Sequence, residues 1–304
     1  MIDRLAHADQ LVPIACDVAM GRTTVRKKER GIYKYLVDRN PLARMVIGNQ
    51  VRKMIMAKTK GRYPAHPAAI KLVLNSFSAD SRKMAEREAK AVADLATGDV
   101  CKSLVSIFFA SEAAKKFARG TKEFKPRKLE HAAEIGAGVM GGAIASVLAE
   151  KGLNTRLIDL SRDALDAAVI DHQQTITKKR NRRRLKPHLA DAAIDRLTTS
   201  DQINGISHAE VVIEAVAERL DIKQQVLQQV AEQVPDDCII ATNTSSLSVT
   251  AIADAVRNPE RVVGMHFFNP VRKMPLVEII RGEHTSEEVL IETAALAARM
   301  GKTP

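Results

Sequence analysis

The hydrophobic pattern of the chain changes character near residue 128. In residues 1–127, apolar positions recur at helical spacing, for example over 71–74 and 100–109, and prolines and glycines interrupt them. Beyond residue 128, short apolar runs alternate with longer segments of helical periodicity. The pattern predicts a helical segment over 1–127, whose charged end at 115–128 acts as a linker, and an α/β domain over 128–304.

Six short apolar runs of the second region predict strands. They cover 131–135, a run that ends at 159, and then 209–213, 238–242, 261–267 and 276–280. Helical segments fill the intervals, including a short one at 190–197. This alternation predicts an α/β fold with a Rossmann-type, doubly wound, mostly parallel sheet. Ligands of such sheets bind beyond the carboxyl ends of the strands.

The stretch IGAGVMGGAIASVLAEKGLNTRLID carries the clearest candidate site. Gly136, Gly138 and Gly141 form a G-x-G-x-x-G pattern between the first strand and a helix of small, apolar residues. Glycines at these positions permit a tight turn, a close approach of backbone to a pyrophosphate and close packing of helix on strand. Asp159 ends the next strand, where an acid accepts from adenine ribose hydroxyls and disfavours a 2′-phosphate. The stretch therefore predicts an NAD site.

Glu134 does not fit the strand in which it lies. A central parallel strand is usually apolar on both faces, and an unpaired buried carboxylate is costly. We therefore expect Glu134 either to have a partner or to have a shifted pKa.

Polar residues also follow the later strands. Glu218, Asn243, Ser245 and His266 each lie at or just beyond a predicted carboxyl end, and Glu278 lies on the strand after His266. Most histidines are structural. A carboxylate that accepts from one imidazole nitrogen, however, fixes the tautomer and raises the basicity of the other, as the deprotonation of an alcohol requires.

Composition excludes several classes of protein. With 304 residues and 45% hydrophobic content, the chain can bury a substantial core. Its three cysteines fit neither a zinc spacing nor a disulfide framework. No apolar run is long enough to span a bilayer, and the charged N-terminus does not match a signal peptide. We expect a cytoplasmic protein with no metal site.

The net charge of +11 leaves three kinds of partner open: nucleic acid, an anionic membrane and a polyanionic small substrate. The densest basic run, KKRNRRRLK at 178–186, is equally compatible with a solvated helix face. Single-stranded nucleic acid is disfavoured because no aromatic residues interleave with the basic ones.

Four segments resemble a known family: IGAGVMGG, VIEAVAERLDIK, TNTSSL and MHFFNPVRKMPLVEII. They are similar to the NAD-binding domain of the L-3-hydroxyacyl-CoA dehydrogenases, in the form found in the alpha subunit of bacterial fatty-acid oxidation complexes. The resemblance covers about 128–304, and HFFNP followed by a glutamate twelve residues after the histidine is its most specific part. Residues 30–127 resemble the helical connector between the hydratase and dehydrogenase domains of those chains.

The resemblance implies a role for each matching residue. His266 would be the general base and Glu278 would orient it, while Ser245 and Asn269 would contact the substrate oxygen or the nicotinamide region. The residues implied for NAD are Gly136, Gly138, Met140, Gly141, Asp159, Val216, Ala217, Glu218, Lys223, Asn243, Ser245 and Asn269. The reaction would be oxidation of L-3-hydroxyacyl-CoA to 3-oxoacyl-CoA in fatty acid β-oxidation. The basic stretch near Arg180 would contact coenzyme A, and a thiolase subunit would be a partner.

The sequence also departs from the family. The hydratase domain and its paired glutamates are absent, as is the C-terminal helical domain that supplies a substrate-binding asparagine, the acyl pocket and usually the dimer interface. We therefore expect a truncated chain without hydratase activity. Three hypotheses stay open: a dehydrogenase, an NAD-binding fragment without turnover, and a basic nucleic-acid module. The last is motivated by charge alone, and we predict no nucleic-acid partner. Oligomeric state is left open.

Overall fold

The computed structural model describes residues 7–23, 40–76 and 80–304. The chain divides into two compact units, 1–106 and 107–304. The boundary at 127/128 stays a prediction about how the sequence is organised.

Helices make up the described part of the first unit, in agreement with the periodicity of the sequence. They are α1 (Leu11–Ala19), α2 (Pro41–Thr59), α3 (Ala65–Asn75), α4 (Ser81–Ala96) and the start of α5 (Asp99–Phe117). The side chain of Asn40 caps α2 by accepting from the N–H groups of Leu42 and Ala43. Gly48 lies against Leu74, which lets α2 and α3 approach closely.

The second unit contains a seven-stranded sheet. Its strands are β1 (His131–Ile135), β2 (Asn154–Ile158), β3 (Leu197–Ser200), β4 (Val211–Glu214), β5 (Ile239–Thr242), β6 (Val262–Phe267) and β7 (Val277–Ile280). Their order is β3-β2-β1-β4-β5-β6-β7, and every neighbouring pair is parallel except β6 and β7. This confirms the Rossmann-type, mostly parallel sheet.

The strand β3 was not predicted. We expected a helix over 190–197, whereas the helix there (Pro187–Asp195) ends earlier and the chain then enters a strand at the sheet edge. Each residue of β3 is at least partly accessible to solvent, so its sequence, LTTS, lacks the apolar run typical of a buried strand.

Helices cover both faces of the sheet. They are α6 (Val139–Glu150), α7 (Arg162–Asn181), α8 (Pro187–Asp195), α9 (Leu220–Ala231), α10 (Val249–Ala253) and α11 (Glu287–Arg299). Alternate strand residues enter different apolar layers: Ala132 packs with α6 and α11, while Ala133 packs with α9 and α10. Within the described ranges, no helix combines the length and apolarity that a bilayer span requires.

Candidate active site

The glycine loop between β1 and α6 has the geometry that its sequence predicts. Gly136 has φ +105°, and a Cβ there would lie 2.7 Å from the carbonyl oxygen of Ala215. A Cβ at Gly141 would lie 1.8 Å from the carbonyl oxygen of Gly136, so larger residues are excluded from both positions. Gly138 caps α6 and has no atom within 4 Å of a built Cβ. The loop is therefore closely packed at Gly136 and Gly141, and it is open at Gly138, where a phosphate would approach the start of the helix.

Asp159 holds this loop in place. Its Oδ2 accepts a 2.6 Å hydrogen bond from the N–H of Ala137, and its Oδ1 accepts a 2.8 Å bond from the N–H of Ser161. The carboxylate is only partly exposed. Asp159 thus links the end of β2 to the turn after β1, and its contact with a ribose stays a prediction.

A cavity of about 580 Å³ opens beside the glycine loop. Six of the residues predicted to hold the cofactor line it: Gly136, Gly138, Met140, Asp159, Val216 and Ala217. Two further lining residues, Val139 and Leu160, are apolar and largely exposed, at 78% and 91%. Exposed apolar side chains at the wall of a cavity offer a surface for a flat aromatic ring. Sequence reasoning missed both, although each directly follows a residue that it singled out.

These residues fit a dinucleotide in three respects. Gly138 leaves room beside a helix N-terminus for a pyrophosphate, Asp159 offers a carboxylate at the end of the next strand, and Val139 and Leu160 offer an apolar wall for adenine. No group of three or more histidine, cysteine, aspartate or glutamate side chains in the described ranges is placed to hold a metal ion.

His266 and Glu278 form a hydrogen-bonded pair at the same edge of the sheet. They lie directly opposite each other in the antiparallel β6–β7 register, and Nδ1 of His266 is 2.7 Å from Oε2 of Glu278. A carboxylate can only accept, so Nδ1 carries the hydrogen and Nε2 of the neutral ring has a free lone pair. The His266 side chain is 19% exposed, and its ring lies 4.6 Å from that of Phe268. The pair has the arrangement of an oriented general base.

The remaining residues predicted to contact ligands differ in their environments. Asn243 accepts a 3.0 Å hydrogen bond from the N–H of Phe267 through Oδ1, which ties the end of β5 to the strand that carries His266. Ser245 is exposed, and its N–H donates to Oε1 of Glu218 at 2.9 Å. Asn269 is exposed in the loop after β6. Their roles toward substrate and NAD stay predictions.

A buried ionic network lies beneath these loops. Lys223 on α9 is 0% exposed, and its Nζ lies 2.8 Å from Oε1 of Glu214 and 3.4 Å from Oε2 of Glu218. Glu214 also accepts from the hydroxyl of Thr242 and the N–H of Val216, both at 2.7 Å. Lys223 does not line the cavity beside the glycine loop, and neither does Glu214. Sequence reasoning singled out Lys223 as a groove residue and missed Glu214, which it placed beyond the strand predicted over 209–213 and which the structure shows to be the last residue of β4.

Glu218 connects this network to the surface. Burial would raise the pKa of its carboxyl, but hydrogen bonds from Thr244 and Ser245 and the charge of Lys223 outweigh that effect and lower the pKa below its ordinary value. Its Oε1 accepts from the hydroxyl of Thr244 at 2.6 Å. Glu218 is therefore a carboxylate that joins the loop after β4 to the loop after β5.

Glu134 has no hydrogen-bond partner in the described structure. It is 0% exposed, and both of its carboxyl oxygens are buried without a partner. Burial, reinforced by the charge of Glu214 and opposed by that of Lys223, raises the pKa of Glu134 well above its ordinary value. Of the two outcomes that we expected, the shifted pKa is the one found.

Comparisons with known proteins agree with the dinucleotide site at the glycine loop. A family model described as 3-hydroxyacyl-CoA dehydrogenase, NAD binding domain, matches residues 131–304. Relatives named fatty acid oxidation complex subunit alpha, from Psychrobacter arcticus and Shewanella halifaxensis, are 36% and 34% identical over 100% of this chain. The chain spans 43% of the length of each.

Solved structures of related enzymes share the fold. The 3-hydroxybutyryl-CoA dehydrogenase from Escherichia coli K12 is 38% identical with a TM-score of 0.57, over 59% of this chain and 38% of that one. The (S)-3-hydroxybutyryl-CoA dehydrogenase from Ralstonia eutropha is 35% identical with a TM-score of 0.56, over 58% of this chain and 62% of that one. The family match covers more than half of the chain, and the chain therefore belongs to the family of 3-hydroxyacyl-CoA dehydrogenase NAD-binding domains.

Proposed function

We propose that this chain supplies the NAD-binding and proton-abstracting half of an enzyme that oxidises L-3-hydroxyacyl-CoA to 3-oxoacyl-CoA in fatty acid β-oxidation. One observation carries the proposal. The His266–Glu278 pair lies at the same edge of the sheet as the open glycine loop, because β1 and β6 run parallel within one sheet. A base and a dinucleotide site at one edge are the two parts that oxidation of an alcohol by NAD requires.

The proton step follows from the hydrogen bond between the pair. Glu278 accepts from Nδ1–H of His266, so Nε2 is the atom that takes the proton of the substrate hydroxyl. As the imidazolium forms, the carboxylate at 2.7 Å stabilises its charge. Bound NAD would supply the hydride acceptor for the carbon that bears the hydroxyl: a C–H bond would break, a C=O bond would form, and the products would be the ketone, NADH and the proton taken up by His266.

The cofactor half of the proposal rests on the cavity beside the glycine loop. The loop would hold the pyrophosphate at the start of α6, and Asp159 would select NAD because its negative charge opposes a 2′-phosphate. The groove toward the nicotinamide would be completed by Val216, Ala217, Glu218, Lys223, Asn243, Ser245 and Asn269. Lys223 would act there through Glu214 and Glu218, since its ammonium is buried between them.

The basic stretch near Arg180 would bind the phosphates of coenzyme A, which are the proposed partner of the chain's positive charge. Arg180 pairs with Asp191 and Lys179 pairs with Glu150, which fixes the end of α7. The side chains of Arg182 to Arg184 are exposed, and no hydrogen bond or ion pair of the described residues involves them. Guanidinium groups of this kind bind phosphates well because they donate two parallel hydrogen bonds.

Partners and location belong to the same proposal. The relatives are named fatty acid oxidation complex subunit alpha, which supports a further subunit as partner, and the family resemblance implies that this subunit is a thiolase. An acyl-CoA substrate is supported by the names of the matching family and of the related solved enzymes. A cytoplasmic location is supported by the three cysteines, all of which are free, as expected in a reducing compartment.

Binding and turnover test the proposal separately. Calorimetric titration should show NAD binding more tightly than NADP, and incubation with an L-3-hydroxyacyl-CoA should produce NADH measured by absorbance. His266→Gln should abolish NADH formation while leaving NAD affinity within about twofold. His284→Gln, on the surface of the same unit, is the matched control and should change neither. Binding without turnover by the unaltered chain would reduce the proposal to cofactor binding, and absence of NAD binding would refute it.

A further inference from the structure

Glu134 is a buried acid placed directly behind the glycine loop. It faces apolar strand neighbours, Leu157 on β2 and Ile213 on β4, in the register of the sheet. Neither carboxyl oxygen has a hydrogen-bond partner, and the side chain is inaccessible to solvent. The dehydrogenase chemistry proposed above does not use this residue, and stability does not explain it, because an unpartnered buried polar group costs free energy.

The carboxyl lies against the first turn of α6. Its Oε1 is 3.0 Å from the position that a Cβ of Gly141 would occupy, and Gly141 is the third residue of the helix that begins at Val139. The N–H groups of that first turn are the ones offered to a pyrophosphate, and the helix dipole adds positive potential at the same place. A negative charge on Glu134 would therefore lower the positive potential that the first turn of α6 offers to the phosphates.

Two charged groups among the described residues act on Glu134. They are Glu214 on β4 and Lys223 on α9, which pair with each other. The first turn of α6 contains no acidic or basic residue. Asp159 at the end of β2 is held by the N–H groups of Ala137 and Ser161. Burial, together with Glu214, keeps the proton on Glu134 well above the ordinary pKa of a glutamate.

We propose that Glu134 sets the affinity of the glycine loop for its dinucleotide through its own proton. The neutral acid leaves the positive end of α6 to the pyrophosphate, whereas the carboxylate competes for that potential and repels the phosphates. Dinucleotide affinity then falls as pH rises through the titration of Glu134, and binding takes up a proton in that range. This inference rests on the proposed function, namely that the loop binds NAD.

Calorimetric titration with ADP-ribose tests the inference, at a series of pH values from just above the ordinary pKa of a glutamate to the most alkaline pH at which the chain stays folded. ADP-ribose has the adenosine and pyrophosphate of NAD but no nicotinamide, so it does not extend to His266. For the unaltered chain we expect affinity to fall by roughly tenfold across the range, as for like charges several ångströms apart in a medium of intermediate dielectric. Titrations in two buffers of different ionisation enthalpy should show proton uptake.

Two variants and one control complete the experiment. Glu134→Gln is neutral at every pH and Glu134→Leu is apolar, so both should bind with an affinity that does not change with pH and should take up no proton. Glu130→Gln, an exposed glutamate before β1, should keep the slope of the unaltered chain. Far-ultraviolet circular dichroism checks that each variant is folded, and either Glu134 variant suffices for the comparison.

The outcomes separate the inference from the function on which it rests. Binding of ADP-ribose with no pH slope in the unaltered chain, or with the same slope in Glu134→Gln, overturns the inference and leaves the cofactor proposal standing. Absence of ADP-ribose and NAD binding at every pH in the unaltered chain overturns the proposed function itself.

Discussion

Replacing Lys223 by methionine should destabilise the second unit strongly. The substitution keeps the length of the apolar stem and removes an ammonium that is 0% exposed. Its Nζ donates to Oε1 of Glu214 at 2.8 Å and to the carbonyl oxygen of Asn243 at 3.2 Å, and lies 3.4 Å from Glu218. Without it, Glu214 is a buried carboxylate with no cation beside it.

The size of the stability loss depends on the hydrogen bonds that Glu214 keeps. Removing one partner of a buried ion pair costs about 3–5 kcal/mol. Glu214 keeps the hydroxyl of Thr242 and the N–H of Val216, so we expect the lower end, about 3 kcal/mol. For a unit of this size that corresponds to a fall in Tm of roughly 6–12 °C.

Thermal unfolding followed by circular dichroism at pH 7 measures the effect. The double variant K223M/E214Q removes the isolated charge as well and should recover at least about 1 kcal/mol. Lys128→Met, which removes an exposed partner of Glu130, is the matched control and should change stability by less than about 0.5 kcal/mol. A Lys223→Met protein as stable as this control, or a double variant no more stable than the single one, would refute the reasoning.

Four further predictions concern the site. Glu278→Gln should lower kcat by about 10²–10⁴ with little change in NAD affinity, because the amide lacks the charge that stabilises the imidazolium of His266 and can donate to Nδ1, which favours the wrong tautomer; steady-state kinetics with a retained kcat would contradict this. Asp159→Ala should weaken NAD binding at least tenfold in calorimetry, since the glycine loop loses its anchor at Ala137; unchanged affinity would count against it. Arg184→Gln should raise KM for the acyl-CoA substrate more than it lowers kcat, and more at low salt than at high salt, if its guanidinium binds phosphate. Glu134→Leu should gain stability over the unaltered chain as pH rises above the ordinary glutamate pKa, because the folded unaltered chain keeps a proton on Glu134 that the unfolded chain releases; urea titrations at pH 5 and 8 should show the difference between the two chains growing with pH, and a constant difference would contradict this.

The sequence predicted the features that depend on local pattern. The glycine loop and the strands on either side of it follow from spacing. The pairing of Glu278 with His266 was implied by the family resemblance, and the antiparallel register of β6 and β7 places the two residues opposite each other. The strand β3 was missed because its partly exposed LTTS residues carry no apolar signal. Glu214 was missed for a different reason. Its role depends on Lys223, which approaches from a helix, and no local pattern reveals that a helical lysine points inward.

The antiparallel pairing of β7 with β6 makes the alignment of the proposed catalytic pair a property of the backbone. His266 and Glu278 are cross-strand neighbours, with Met265 opposite Ile279 and Phe267 opposite Val277. A slip of one residue would place an aliphatic side chain beside the imidazole and turn the acid to the other face of the sheet. A deletion inside β7 should therefore abolish the pairing of His266 with Glu278.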